Sequence, residues 1–324
     1  MPTALGIDTG GTYTDAVLID HATGEVLASA KALTTRHDLA IGIAGAIEGA
    51  FAAAAATGRS LVPTTIDLVG LSTTLATNAI VEDRGTPVCL LLVGYDQEFI
   101  RQSGFEKELV TRDVVYVRGG HDGEGDEVAP LDEEAVRRAV RERGHRVEAF
   151  AVSAYFGVRN PAHEVRAREL IEQVSGEAGG EPLPVTCGHE LTSRLDSVRR
   201  ATTATLNARL IPLLRELITT VRQTLDRQGI PAPLMIVKGD GSLVQADWAM
   251  RRPIETILSG PAASVVGAWH LAGRKDGWVI DVGGTTTDIA VLRDGFPRLS
   301  PEGARVGRWR TMIETVDVHT AGLG

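Results

Sequence analysis

A chain of 324 residues is long enough for about two domains, and 43% apolar with 23% charged residues is the composition of a globular protein with a large core. The 42 acidic against 33 basic residues leave a net charge of -9, which argues against a nonspecific nucleic-acid surface but not against a local anion site. Cys89 and Cys187 supply no disulfide framework, no basic-then-apolar leader precedes the strand-like run at Ala4, and the apolar stretch Ala44 to Ala56 is short and carries Glu48; a cytoplasmic chain without a membrane span is expected.

Taken in chain order, 4–8, 13–20 and 25–32 predict three consecutive strands, joined by Thr9-Gly10-Gly11-Thr12 and His21-Ala22-Thr23-Gly24. Alanine-rich 38–57 predicts a helix that Gly58 ends. Residues 66–71 and 87–93 read as buried strands around a helix from Leu75 to Arg84, and 119–127 as a solvated acidic loop that includes His121. Asp132 caps a helix to Arg143, 149–156 is a strand, Pro161 opens a helix through Val174, and 176–184 is a linker. Ser193 to Arg227 is helical, with a kink or break expected at Pro212. Leu234 to Val237 is expected to begin a second strand set, Pro261 to Leu271 forms a helix of small residues, and Val279 restarts the strand–turn–strand pattern. Hairpins opening each half predict an α/β fold with mixed rather than purely parallel sheets, divided somewhere within 190–230.

One pattern occurs twice. Asp8-Thr-Gly-Gly-Thr-Tyr-Thr-Asp15 returns at a constant offset of 273 as Asp281-Val-Gly-Gly-Thr-Thr-Thr-Asp288. Glycines let the backbone approach an anion, and consecutive turn N–H groups form a concave anion site. Gly10, Gly11 and Thr12, with Gly283, Gly284, Thr285 and Thr286, are therefore the candidate phosphate-binding residues. An acid beside a phosphate cradle is repulsive without a cation, so Asp8 and Asp281 imply magnesium. A strand rather than a helix follows each glycine turn, which excludes the dinucleotide and P-loop patterns.

With these two turns the sequence resembles the actin, sugar-kinase and Hsp70 ATPase superfamily, which implies two RNase H-like domains closing over ATP; Ser259 to Ala268 resembles its first connecting helix. The resemblance narrows to the hydantoinase A/5-oxoprolinase family. Thr73-Thr74-Leu75-Ala76-Thr77-Asn78-Ala79 is similar to that family's Thr-Thr-x-x-Thr-Asn-Ala, and Asn160-Pro-Ala-His-Glu164 to its Asn-Pro-x-His-Glu. Arg200 to Ala208, Lys238-Gly-Asp-Gly241 and Arg252 to Ala262 continue the series. The resemblance implies ATP-dependent opening of a cyclic amide (hydantoin, N-methylhydantoin or 5-oxoproline type) by phosphorylation of its carbonyl oxygen, with a hydantoinase B-type partner. Relatives that activate ketones for carboxylation, a small-molecule kinase, and an Hsp70-like nucleotide switch are the alternatives, and a homo-oligomer is left open. It also implies an N-terminal domain over 1–192 and the start of a second, incomplete ATPase domain over 193–324. Family members continue past the second phosphate loop into an adenosine segment, so the expectation is that this chain does not turn over alone.

Asp8, Thr73, Thr74, Thr77 and Asn78 are the candidate catalytic residues, the last four reading either as contacts to phosphate or carbonyl or as helix-capping groups. Asp15 and Asp288 orient a water or loop, or are strand-end acids. Asn160 and His163 form a substrate-side pair or a capped turn, Arg200 neutralises phosphate or lies on a solvated face, and Asp240-Gly241 lines a cleft or is a plain turn. Cys89 reads as core. Cys187-Gly-His189 lacks a second ligand pair for a metal motif, which leaves a catalytic thiol as its functional reading, and His319 has none.

Overall fold

The computed structural model describes residues 2–35, 38–177, 179–282 and 286–322. Two compact units interleave along the chain: the first comprises Met1–Asn78, Leu213–Pro301 and Glu314–Gly324, the second Ala79–Pro212 and Glu302–Ile313.

The first unit opens with the expected meander, β1 (Thr3–Thr9), β2 (Tyr13–Asp20) and β3 (Val26–Leu33), followed by α1 (Leu39–Ala56), β4 (Ile66–Thr73) and α2 (Leu75–Val81). Strict alternation in β1 and β2 turns Leu5, Ile7, Ala16 and Leu18 inward. Asp38 caps α1 by accepting from the Ala40 N–H, and Gly58 follows its end at φ +77°. By length and composition α1 is apolar enough to cross a membrane, as core helices also are; here Ile43, Ala46, Ile47, Ala50 and Ala54 pack in the core with Leu5 and Leu18. Close approach requires glycine on this helix: a Cβ at Gly42 would lie 2.7 Å from the Leu33 carbonyl oxygen, and one at Gly49 2.8 Å from the Ala30 Cβ.

The second unit runs β5 (Val88–Val93), α3 (Gln97–Gln102), β6 (Val114–Val117), α4 (Glu133–Arg143), β7 (Ala149–Ala154), α5 (Ala162–Gly176), β8 (Val185–Cys187) and α6 (Gly188–Leu191), then the start of α7 (Ser197–Arg227). The four strands of its main sheet are all parallel, in the order β6-β5-β7-β8. The sheet that begins with the opening hairpin is mixed, as expected, whereas this one is purely parallel: β5 and β7 are buried at every position, because helices cover both faces. Cys89 lies in this core.

α7 is continuous through Pro212, so no break occurs there, and the chain re-enters the first unit within it. β9 (Leu234–Val237) then pairs parallel with β4, and β10 (Leu243–Gln245) antiparallel with β9, giving the mixed sheet β10-β9-β4-β1-β2-β3. Leu234 to Val237 therefore completes the first sheet rather than starting a second, and a division at 192/193 does not coincide with the compact units; Leu234 and Ile236 bury in the same core as Leu5. After α8 (Ala246–Arg251) and α9 (Ser259–Ala272), β11 (Gly277–Val282), β12 (Thr286–Arg293) and β13 (Phe296–Pro297) start the unit's second sheet. β14 (Arg305–Val306) and β15 (Trp309–Arg310) form a small hairpin of the second unit, and β16 (Val318–Gly322) pairs with β12.

The alternation of β2 has a direct test. Leu18→Ala, at a fully buried position, is expected to cost about 2–5 kcal/mol in denaturant unfolding, and Val17→Ala on the opposite face much less.

Candidate functional site

The sequence repeat is a structural repeat. β1 and β2 place Asp8 opposite Asp15, and β11 and β12 place Asp281 opposite Asp288 in the same antiparallel register. The turn of the first hairpin is closed by Gly10 N–H donating to the Tyr13 carbonyl at 3.0 Å, with Thr34 donating its N–H to the Thr12 carbonyl and its hydroxyl to that of Gly10. A Cβ on Gly10 would sit 2.9 Å from the Tyr13 oxygen, so the turn needs glycine there. Among the described residues the N–H groups of Gly11 and Thr12 meet no acceptor, and both residues are exposed. Gly283, Gly284 and Thr285 lie outside the described residues, as does the side chain of Thr286.

Asp8 faces a cavity of about 850 Å³ in the first unit, walled by β1, β2, β3 and β4 together with Gly241 and the Ala263 and Val266 positions of α9. Ser72, beside Asp8 in the parallel register of β4, donates to its Oδ1 at 2.5 Å. Burial pushes the Asp8 carboxyl above its ordinary 3.8 against the Ser72 hydrogen bond; the charges of Asp15 and Asp281 push it further, and Lys31 opposes them. Three carboxylates thus act on one half-buried point. The cation within reach is Lys31, 3.2 Å from Asp15 and aligned with it across β2 and β3. Lys31 and Ser72 were not singled out from sequence; an isolated lysine in the small-residue strand Val26–Leu33 is the signal that was available. Asp281 accepts from Ser264 of α9 at 2.8 Å, and Asp288 from Thr320 at 2.6 Å. The donor set fits a magnesium–phosphate group: carboxylates whose repulsion a cation relieves, beside turn N–H groups free to meet phosphate oxygens.

The Thr73-to-Asn78 segment joins this site at the end of β4. Thr74 N–H donates to the Thr9 carbonyl, and Ser259 at the start of α9 exchanges hydrogen bonds with the Thr73 backbone. Two of the four side chains accept from backbone N–H groups. Thr73 Oγ1 accepts from the Leu75 N–H, and Thr77 Oγ1 from the N–H of Leu258, which is held at φ +59° before α9. Thr74 and Asn78, half-buried, pair with each other at 3.2 Å and retain a hydroxyl hydrogen and a carbonyl oxygen for a ligand. Asp240 is the turn acid of β9–β10, held by Ser242 and Lys238, while Gly241 lines the cavity.

Several other candidates belong to a separate network in the second unit. Asn160 caps the entry to α5 by accepting from the Ala162 N–H. His163 accepts at Nδ1 from Gly120 N–H, so its Nε2 carries the proton directed at Glu127, 2.9 Å away. His121 is not solvated, as expected, but buried, with its ring 4.3 Å from that of His163; burial and His163 lower its pKa below 6.5. Arg200 is neither a phosphate group nor a solvated one: it is fully buried and donates to the carbonyls of Ala154 and Tyr155. Glu164, quoted from sequence only as the end of the Asn160-to-Glu164 motif, gathers with Cys187 and His189 closely enough to suggest a metal site. Its carboxylate is already satisfied by the N–H groups of Ala154 and His189 and by His189 Nδ1, and burial pushes the Cys187 thiol far up, against a nucleophilic role. His319 is an exposed residue of β16.

Comparison with known proteins adds the following. Residues 4–175 match the hydantoinase/oxoprolinase N-terminal region, and residues 200–324 the hydantoinase/oxoprolinase family. The acetophenone carboxylase gamma subunit of Aromatoleum aromaticum is 30% identical across 98% of this chain and 47% of its own length. The caprolactamase subunit alpha of Pseudomonas jessenii is 29% identical across 99% and 47%, and the crystal structure of that organism's ATP-dependent caprolactamase superposes with a TM-score of 0.80 at 30% identity, over 99% of this chain and 48% of that one. The nucleotide-free acetone carboxylase structure, at 22% identity and a TM-score of 0.83 over 100% of this chain and 48% of that one, shares the fold. The chain spans about half the length of these relatives.

Asp8 and His121 carry opposite pH signatures. The raised Asp8 pKa means its contribution to stability is full below pH 3.8 and is lost as pH rises through the folded-state value, so the stability difference between Asp8→Asn and the parent should grow in favour of the variant over that window. The lowered His121 pKa means its contribution is full above pH 6.5 and is lost as pH falls through the folded-state value; His121→Phe should flatten that acid-side loss. Denaturant unfolding across pH reads both.

Proposed function

The chain belongs to the hydantoinase/oxoprolinase family, and from that premise we propose that it carries the phosphate-handling site of an enzyme that uses ATP to activate the carbonyl of a cyclic amide, of the hydantoin, N-methylhydantoin or 5-oxoproline type. The observation that carries the reading is the pair of hairpins in equivalent register, with Asp8 feeling the charge of Asp281. ATP with magnesium would supply the phosphoryl group that converts an unreactive carbonyl oxygen into a leaving group, the role for which phosphoryl transfer needs positioning and charge neutralisation.

The chain's own contribution follows from its side chains. Asp8 and Asp281 hold the cation, and Ser72 and Ser264 fix their carboxylates. Gly11 and Thr12 offer N–H groups to phosphate oxygens, with Gly283, Gly284, Thr285 and Thr286 as the matching group of the second turn. Lys31 offsets the acidic cluster from the β3 side. Thr74 and Asn78 present the polar contacts to the transferred group or the carbonyl, while Thr73 and Thr77 position them by tying α2 to the end of β4 and the start of α9. A hydantoinase B-type subunit completes the hydrolysis in this proposal; the subunit names of the relatives support a multi-subunit assembly.

A second reading has its own support, because the relative at 30% identity is a subunit of acetophenone carboxylase: the activated carbonyl would be a ketone's. ADP release by a protein that carries this chain together with the family's adenosine segment, mixed with a B-type subunit, separates the two. Release that depends on hydantoin, N-methylhydantoin or 5-oxoproline and is indifferent to bicarbonate supports the amide; release that needs a ketone and bicarbonate supports carboxylation; a stable phosphorylated product marks a kinase instead. Asp8→Ala and Asp281→Ala should each lower ADP release by about a hundredfold or more if charge neutralisation is their role. Unchanged release in both variants would contradict the assignment.

A further inference from the structure

The parallel sheet of the second unit has its own ligand geometry. The β5-to-β6 connection carries α3, whose Ile100 packs with Leu109 against Ala201, Ala204 and Ala208 of α7 on one face. The β7-to-β8 connection carries α5, packed with α4 on the other face through Leu170, Ile171, Val136 and Val140. Strand order β6-β5-β7-β8 therefore reverses direction at β5 and β7. In open parallel sheets the crevice beyond the carboxyl ends of such a strand pair is where ligands bind. Here β5 runs out into Gly94-Tyr95-Asp96 and β7 into Tyr155-Phe156, and these residues wall a cavity of about 800 Å³. That volume lies within the roughly 300–1,000 Å³ of small-molecule sites.

The walls are chemically biased. The chain has only 4 Trp, 4 Tyr and 6 Phe, yet Tyr95, Phe99, Phe105, Tyr155 and Phe156 all line this cavity. Tyr95 spends its hydroxyl on Ser153 and the Ser197 carbonyl, so its ring is a fixed wall. Tyr155 is held edge-on by Tyr95 at 5.4 Å and by Phe156 at 4.9 Å, yet stays 41% exposed; Phe99 is 53% exposed. Exposed aromatic surface in a concave site is what a ring ligand would cover. The charges divide unequally. Asp96 and Asp196 cap α3 and α7 through backbone N–H groups, and Arg199 donates Nε and Nη2 to the Thr311 carbonyl. Arg310, exposed, makes no ion pair among the described residues, and the acid that shares the wall without a capping role is Glu108.

We propose that this crevice is a second small-molecule site, for a planar, mostly apolar ring compound bearing one carboxylate, with the ring against Tyr155 and Phe99 and the carboxylate at the Arg310 guanidinium. An arginine fork matches a carboxylate better than a neutral amide does, which sets the selectivity. The proposal is independent of the ATP reading. Calorimetry and ligand-observed NMR on the whole chain, with benzoate, phenylacetate and indole-3-acetate as probes and phenylacetamide as the neutral control, test it. The expected result is saturable one-to-one binding by at least one carboxylate. Phe99→Ala and Tyr155→Ala should each weaken it about tenfold, and Arg310→Gln should abolish the preference over phenylacetamide. Both aromatic substitutions alter exposed rings, and circular dichroism confirms that the variants fold. No saturable binding by any of the three carboxylates, or binding that folded variants leave unchanged, overturns the proposal.

Discussion

The first unit is organised around a cost: Asp8 stands half-buried where two further carboxylates raise its pKa. A fold does not gather like charges at a glycine turn without compensation, and the compensation within the chain is partial. Ser72 and Lys31 lower the cost, but burial and the two acids outweigh them. The remaining deficit is a demand for positive charge at the point where Gly11 and Thr12 hold out unsatisfied N–H groups. Carboxylates that want a cation beside amides that want an anion are together the complement of a metal–phosphate group.

The surrounding architecture keeps those groups in register. β1 is central in its sheet, paired with β2 on one side and β4 on the other, so Asp8, Asp15 and Ser72 are fixed by backbone hydrogen bonds rather than by loop conformation. The core beneath, from Leu5 and Leu18 to Ile43 and Ile236, holds that sheet rigid. The start of α9 is tied to the end of β4 through Ser259 and to α2 through Thr77, and the same helix supports Asp281 through Ser264. One helix thus couples the polar segment at Thr73–Asn78 to the second hairpin.

Much of this was legible in the sequence, and the part that was not has a common cause. The hairpins announce themselves because strands of period two flank glycine turns, and α1, α4 and α5 because their caps or opening proline stand where local physics puts them. Residues whose role depends on a distant partner were misread. β9 looked like a new beginning because nothing local says that it pairs with β4, some 160 positions earlier. His121 looked solvated, and Arg200 either solvated or free to meet phosphate, because their neighbours in sequence are charged, whereas their neighbours in space are the His163 ring and the Ala154 carbonyl. Lys31 was not singled out, and Glu164 only as the end of a motif, because their importance comes from strand register and from a buried network, respectively. The Thr73-to-Asn78 segment was singled out by its motif, but only the structure shows that Thr73 and Thr77 accept from backbone N–H groups while Thr74 and Asn78 pair with each other.

The central claim is that Asp8 and Asp281 serve one cation and one phosphate-bearing ligand. Replacing magnesium with paramagnetic manganese and adding ATP tests this in solution, through the broadening of backbone amide resonances. The account predicts that the resonances of Asp8 to Thr12 and of Ser72, and those of Asp281 and Ser264, broaden together and at the same metal concentration, and that ATP strengthens both. Broadening confined to one hairpin, or centred elsewhere on the chain, would contradict it.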